Sequence, residues 1–372
     1  MRFDIITVVW GEAFVDIFLR LAVPNQLTAG NLLFFGDKPD SVIYKVLTTT
    51  RDAATLRASP TFAKVAAAVP VEIVLVDAVN REERYAALSE CHRRAIAAAD
   101  ARDAALIFLS PDSLWADGTF RRLWDLAESG RRAVLVAGIR VMKETFVPAY
   151  LEEVDRVGVA LGPRELLRLA LAHLHPVTRA LFWDAPTFFY FPSNLYWRVA
   201  DEGFLARCYH LHPLLVNPRR RGLLPASTID ADYLMLACPD PEDLHVVTDS
   251  DELLGIEISP ADHFGAMPQR PARVADVALW TRYYASPHHL GFARHKLRFH
   301  QQDCTKAWEP VEDASERVLE AIDFRRRHPM LLAGRIVRRN IVRAGTSLLR
   351  LFLNEKRLRA LRRILIRLRI LR

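Results

Sequence analysis

The chain has 372 residues, 51% of them hydrophobic, which excludes wholesale disorder and suffices for the core of one large domain or two smaller ones. Its net charge of +7 is uneven: Arg335 to Arg372 hold 13 Lys or Arg and one acid, leaving residues 1–334 with 38 basic and 43 acidic side chains, which argues against a nucleic-acid-binding body. Cys91, Cys208, Cys238 and Cys304 form no CxxC pair, so neither a zinc ribbon nor a disulfide framework is indicated, and a reducing cytoplasm is the expected compartment.

The opening MRFDIITVVWGEAF lacks a basic leader with an apolar segment and cleavage site. Ile5 to Trp10 reads as a buried strand, followed by a helical pattern from Phe14 to Leu21 that stops near Pro24. Tyr44 to Thr50 reads as a second strand, with helical patterns on either side of Pro60, and Val71 to Val76 as a third. The Ala- and Arg-rich run from Arg81 to Ala99 predicts a helix. Ala104 to Leu109 is the fourth strand, Thr119 to Ser129 the next helix, and Ala133 to Ile139 the fifth strand. Apolar strands separated by helices of ten or more residues signal a mostly parallel sheet covered on both faces.

In such sheets the ligand lies beyond the carboxyl ends of the strands. The expected rim holds Trp10, Gly11 and Glu12 after strand one, Thr50 and Asp52 after strand two, and Ser110 and Asp112 after strand four. No GxGxxG follows the first strand and no GxxxxGK[ST] occurs, which disfavours a dinucleotide enzyme or a P-loop NTPase.

LSPDSLWADGTFRRLWDL, a strand end, a short acidic motif, a loop and a helix about 100 residues into the chain, resembles the metal-binding region of GT-A glycosyltransferases, which use nucleotide-sugar donors. The resemblance implies a GT-A-like α/β fold and a divalent cation, manganese or magnesium, between the last carboxylate of the motif and the donor diphosphate. Oxygen ligands suit a hard cation that offsets charge on a departing diphosphate. Ser110 stands where the family carries its first Asp, a departure from the pattern that leaves Asp112 as the motif's one carboxylate. General layout also resembles bacterial proteins of glycosyltransferase type that combine VVWG near the start with HLHP and TID-x-DY segments.

Late histidines often complete the cation site in GT-A enzymes, so His210 and His212, expected on one face of a strand, are the candidate partners of Asp112. Asp230 and Asp232 in STIDADY are the candidate general bases for deprotonating an acceptor hydroxyl. Trp183, Asn194 and Trp197 are candidate acceptor contacts, although buried aromatics more often belong to a core. The literal DxD at Asp249-Ser250-Asp251 ranks below Asp112 because it follows the nucleotide-binding half.

The division expected is 1–140 for the nucleotide-sugar half, 141–303 for the acceptor and catalytic half of the same domain, and 304–372 for a helical basic tail. In NEKRLRALRRILIRLRILR, Leu358, Leu361, Leu365 and Leu368 share one helical face and arginines occupy the rest, a pattern that suits the headgroup plane of an anionic membrane. No run of about 18 uncharged apolar residues occurs, so no span is expected. The sequence thus points to a cytoplasmic, membrane-peripheral glycosyltransferase acting on a saccharide or lipid-linked acceptor. The alternatives are a catalytically silent GT-A-like binding protein and a nucleotidyltransferase, whose usual Gly-rich phosphate loop VVWGEAF lacks.

Overall fold

The computed structural model describes residues 1–80, 83–189, 191–263, 270–337 and 339, with the side chains of Ala231 and Asp232 excepted. In chain order the strands are β1 (Phe3–Val8), β2 (Val42–Thr48), β3 (Val71–Leu75), β4 (Ala105–Leu109), β5 (Ser113–Trp115), β6 (Ala133–Val136) and β7 (Ile139–Met142). There follow β8 (Asn194–Val199), β9 (Gly203–Cys208), β10 (His212–Val216), β11 (Leu244–Val246), β12 (Gly255–Ser259) and β13 (Leu297–His300).

Seven strands form the main sheet, in the order β11-β6-β10-β4-β1-β2-β3. All run the same way except β10, which lies antiparallel between β4 and β6, so the fold is α/β with a mostly parallel sheet. Side-chain alternation explains why this sheet is covered twice. Ile6, Val8, Leu106 and Phe108 face a core shared with the helix Arg84–Ala101, while Phe3, Ile5, Ile107 and Leu109 face a second core containing Phe120 and Leu123 of the helix Thr119–Glu128. Each such fully buried apolar side chain contributes about 1.5–3 kcal/mol; the charged exceptions in β1 and β2, Asp4 and Lys45, are buried as an ion pair at 2.8 Å.

Two smaller sheets complete the fold: β5-β12-β7, which continues from the β4 end, and the antiparallel β13-β9-β8. The latter packs against the helices Val274–Tyr284 and Trp308–Arg327 around a third core that includes Trp197, Trp280 and Trp308. The folded body therefore continues beyond residue 303.

Three boundaries differ from the sequence expectation. The apolar run Ala133 to Ile139 is two strands, β6 in the main sheet and β7 in a small one, because periodicity cannot reveal a change of sheet at Ala137-Gly138. Strand two ends at Thr48; Thr49 caps the next helix through the Asp52 amide, and Thr50 opens that helix. The first helix does not stop at Pro24. Its first turns, Glu12–Ile17, pass through a π turn at Phe18–Ala22 into Val23–Gln26, and Pro24 sits in a first-turn position where a missing N–H is tolerated.

Candidate active site at the carboxyl edge of the sheet

From β1 the strand order runs to β2 and β3 on one side and to β4 on the other, so the topological switch point lies between β1 and β4. The segments leaving their carboxyl ends are Trp10-Gly11-Glu12 and Ser110-Pro111-Asp112, which places both sequence-predicted groups at the switch point. Gly11 has φ 86°, a left-handed conformation that favours glycine, and its amide donates to Asp52 Oδ2 at 2.9 Å. Asp52 also accepts from the Thr49 hydroxyl at 2.8 Å, so this carboxylate ties the ends of β1 and β2 together. The Thr50 hydroxyl donates to Asp77 beyond β3 at 2.8 Å, and the Thr50 amide donates to the same carboxylate at 3.1 Å. Thr50 and Asp52 thus build the rim, while Glu12 is exposed on it.

Between Ser110 and Ser113 the chain turns sharply: the Ser110 carbonyl accepts from the Ser113 hydroxyl at 2.7 Å and from its amide at 3.2 Å. The Asp112 carbonyl accepts from the Ile258 amide at 2.9 Å, which fixes the turn to β12. Glu257 pairs across the small sheet with Ser113 on one side and Arg140 on the other, and Arg140 forms an ion pair with Glu257 and donates to the Ser259 hydroxyl at 2.5 Å. Burial, then the nearby Glu257, push the Asp112 carboxyl up to about 6, against the pull of Arg140 and Arg84. Arg84, at the start of its helix, lies 5.0 Å from the Phe14 ring, near the β1 end. His175 and His263 also feel Arg140, and burial is the first cause lowering both.

Arg84, Arg140 and Glu257 were missed from sequence. One signal was present: GIRVM (138–142) and GIEIS (255–259) are matched patterns with opposite charges at the central position, and in parallel register Arg140 falls beside Glu257.

Asp230 occupies a π turn, Ile229–Tyr233, amid histidines from separate elements. His92 feels both His212 and Asp230, and burial, with the charge of His212, lowers it to about 3. His210 stacks on His289 with ring centroids 4.2 Å apart; burial, then His289, lower it to about 4 while Asp230 opposes the shift. His212 opens β10 and its Nε2 lies 2.9 Å from the Phe108 carbonyl, whereas His210 precedes the strand and turns toward His289, so the two do not share a strand face. The side chain of Asp232 lies outside the described residues.

Trp183 and Trp197 stack with centroids 6.0 Å apart, and Trp197 is buried in the third core, which gives this pair a packing role. Asn194 sits at the start of β8 beside the His210 carbonyl, to which its amide donates at 3.3 Å in the orientation that satisfies both ends of the group.

Among the described residues, one group of three His, Cys, Asp or Glu side chains has ligand atoms close enough to share a cation, and it is not Asp112 with His210 and His212. It comprises Asp249, Asp251 and His300, with ligand atoms within 4.8 Å of one another. The Nδ1 of His300 lies 2.8 Å from the Gln302 carbonyl, leaving Nε2, 2.8 Å from Asp249, as the ligand atom. Arg164 already binds Asp251 at 2.7 Å and Asp303 at 2.8 Å, so a cation there competes with a guanidinium. This cage follows β11, three strands along the edge from β4, or about 14 Å at ordinary strand spacing. Asp112 presents a single hard oxygen donor group at the switch point. That fits a cation of the magnesium kind, which takes one or two carboxylates and draws its other ligands from phosphate and water.

No family profile matches the chain, and no curated protein matches it. Among solved structures it is similar to the mannosyltransferase PcManGT of Pyrobaculum calidifontis in complex with GDP-Man and Mn2+, at 12% identity and TM-score 0.35, over 87% of this chain and 73% of that one. TarS of S. aureus aligns at 11% identity and TM-score 0.32, over 76% of this chain. Mouse xyloside xylosyltransferase 1 aligns at 9% identity and TM-score 0.26, over 42% of this chain. The chain spans 39% of the length of TarS and 59% of the mouse enzyme.

Proposed function

We propose that the protein is a glycosyltransferase that takes a sugar from a nucleotide-diphosphate donor bound at the carboxyl edge of the main sheet. The observation that carries this reading is Asp112, positioned beyond β4 at the switch point with Arg140 and Arg84 among the charges that act on it. The rim residues Trp10, Gly11 and Glu12 would line the donor crevice, and Arg84 and Arg140 supply positive charge for the diphosphate. Asp112 would hold the manganese or magnesium ion, which when bound offsets charge on the leaving nucleoside diphosphate. Asp230 serves as general base: the acceptor oxygen bonds to the anomeric carbon, the sugar–diphosphate bond breaks, and the acceptor proton passes to the carboxylate. That direct displacement inverts the anomeric centre. Burial lowers His92 and His210, both of which feel Asp230, so at neutral pH neither imidazole is a cation there.

The acceptor is a saccharide or lipid-linked saccharide at the cytoplasmic membrane face, with Asn194 fixing the loop that carries His210. Anionic lipid attracts the tail from Arg335 to Arg372, most of which lies outside the described residues. No described helix is long and apolar enough to cross a membrane. Purified protein screened against a panel of nucleotide sugars should hydrolyse at least one, faster with manganese than with chelator. No turnover and no binding with any donor would reject the reading. Ser110, in place of a first carboxylate, favours a second reading, a binding protein of the same fold; donor binding without turnover in either metal would select it.

A further inference from the structure

The segment from Phe324 to Arg339 carries six arginines and no acidic residue, in a body that is otherwise net acidic. Four of its apolar side chains are exposed: Met330 is 85% exposed, Val337 58%, Leu331 55% and Phe324 54%. It is held firmly on the fold. Leu332 is buried in the third core, Arg282 donates to the Arg326 carbonyl at 3.1 Å, and Arg335 binds Asp276 at 3.1 Å. Arg339 lies 3.6 Å from the Tyr283 ring and donates to the Tyr284 hydroxyl at 3.3 Å. Both ends of the segment thus contact the last turn of the helix Val274–Tyr284, whose tyrosines are themselves exposed.

We propose that Phe324, Met330, Leu331 and Val337, together with Arg325, Arg327 and Arg339 of the same segment, form a docking face on the folded body for an anionic lipid bilayer. Exposed apolar side chains interleaved with arginine match the boundary between acyl chains and acidic headgroups, where each kind of side chain finds its own solvent. In sequence the segment is followed directly by the basic, leucine-striped stretch beyond Arg339, which carries charge of the same sign. The face also adjoins the acceptor side of the site: the Tyr284 ring lies 6.3 Å from Phe191, and Phe191 lies 6.0 Å from His210. Docking there brings the surroundings of Asp230 to the lipid surface, where a lipid-linked acceptor resides. The inference extends the membrane part of the proposed function and does not depend on the transfer reaction.

Sedimentation of the full chain with phosphatidylglycerol-containing vesicles tests it. Met330→Asp with Leu331→Asp should lower partition at least tenfold at both low and high salt, because salt does not weaken the apolar contribution. The exchange Met330→Leu with Leu331→Met should retain it, and pure phosphatidylcholine vesicles should bind less in every case. Met330→Asp alone, at the most exposed position, carries the test should the pair unfold. Unchanged partition in the Asp variants would overturn the proposal, as would a loss that accompanies dissociation of a dimer in light scattering, which would assign the face to a second copy. Nucleotide-sugar binding by calorimetry should be equal in all variants; its absence even without substitution would count against the proposed reaction and leave the vesicle result standing.

Discussion

Asp112 makes two measurable demands on the protein. A carboxyl whose folded pKa is raised to about 6, above its ordinary value of 3.8, destabilises the fold when ionised; the penalty is present in full above pH 6 and disappears as pH falls through the interval from 6 to 3.8. Asp112→Asn should therefore stabilise the protein at pH 7, by about 1–2 kcal/mol once its partial exposure is allowed for, and change nothing at pH 3.5. Denaturant midpoints at the two pH values check this. His92 works in the opposite sense. Burial depresses it to about 3, so stability is lost as pH drops from 6.5 toward 3, and His92→Phe should flatten that acid limb in the same denaturant series.

Elements, more than single residues, bring the site together. Gly255 shows how tightly: a Cβ there would lie 2.4 Å from the ring of buried Trp115, whose amide donates to Asn25 Oδ1 at 2.7 Å. Gly255→Ala should lower stability by about 1–3 kcal/mol through overpacking, read as a shift in the thermal transition, and should slacken the β12 contact that fixes the Asp112 turn. Glu257→Gln, one strand position from the Ile258 amide bonded to Asp112, removes a repulsion and should move the pH midpoint of donor binding downward; an unmoved midpoint would mean that burial alone sets the carboxyl. The first four strands and the place of Asp112 just past the fourth were legible in the sequence because buried strands leave apolar runs such as ALIFL; their order across the sheet was not, because an apolar run does not say which strand it pairs with. The exit of the chain from β6 into β7 was not, since both strands are buried and no turn residue beyond Gly138 marks the passage. The electrostatic influence of Asp230 on His92, and of Arg84 on Asp112, links residues more than 25 positions apart in the chain, which local periodicity cannot encode.

At the scale of the whole molecule, the proposed donor site at the sheet edge, the proposed base Asp230 and the proposed docking face all belong to the described residues. Removing residues 340–372 should leave the three cores formed by the described residues in place; an unchanged thermal transition with weaker vesicle binding is the expected result. Asp230→Asn should reduce turnover by about 100-fold or more with donor affinity unchanged, the behaviour of a general base. The two candidate cation groups, Asp112 and the Asp249–Asp251–His300 cage, make opposite claims about where the diphosphate sits. Calorimetric titration of a binding nucleotide sugar, with manganese and with chelator, into Asp112→Ala and Asp249→Ala decides between them. The account predicts that Asp112→Ala abolishes donor binding while Asp249→Ala retains it; full affinity in Asp112→Ala, with loss in Asp249→Ala, would contradict it and move the donor to the β11 edge.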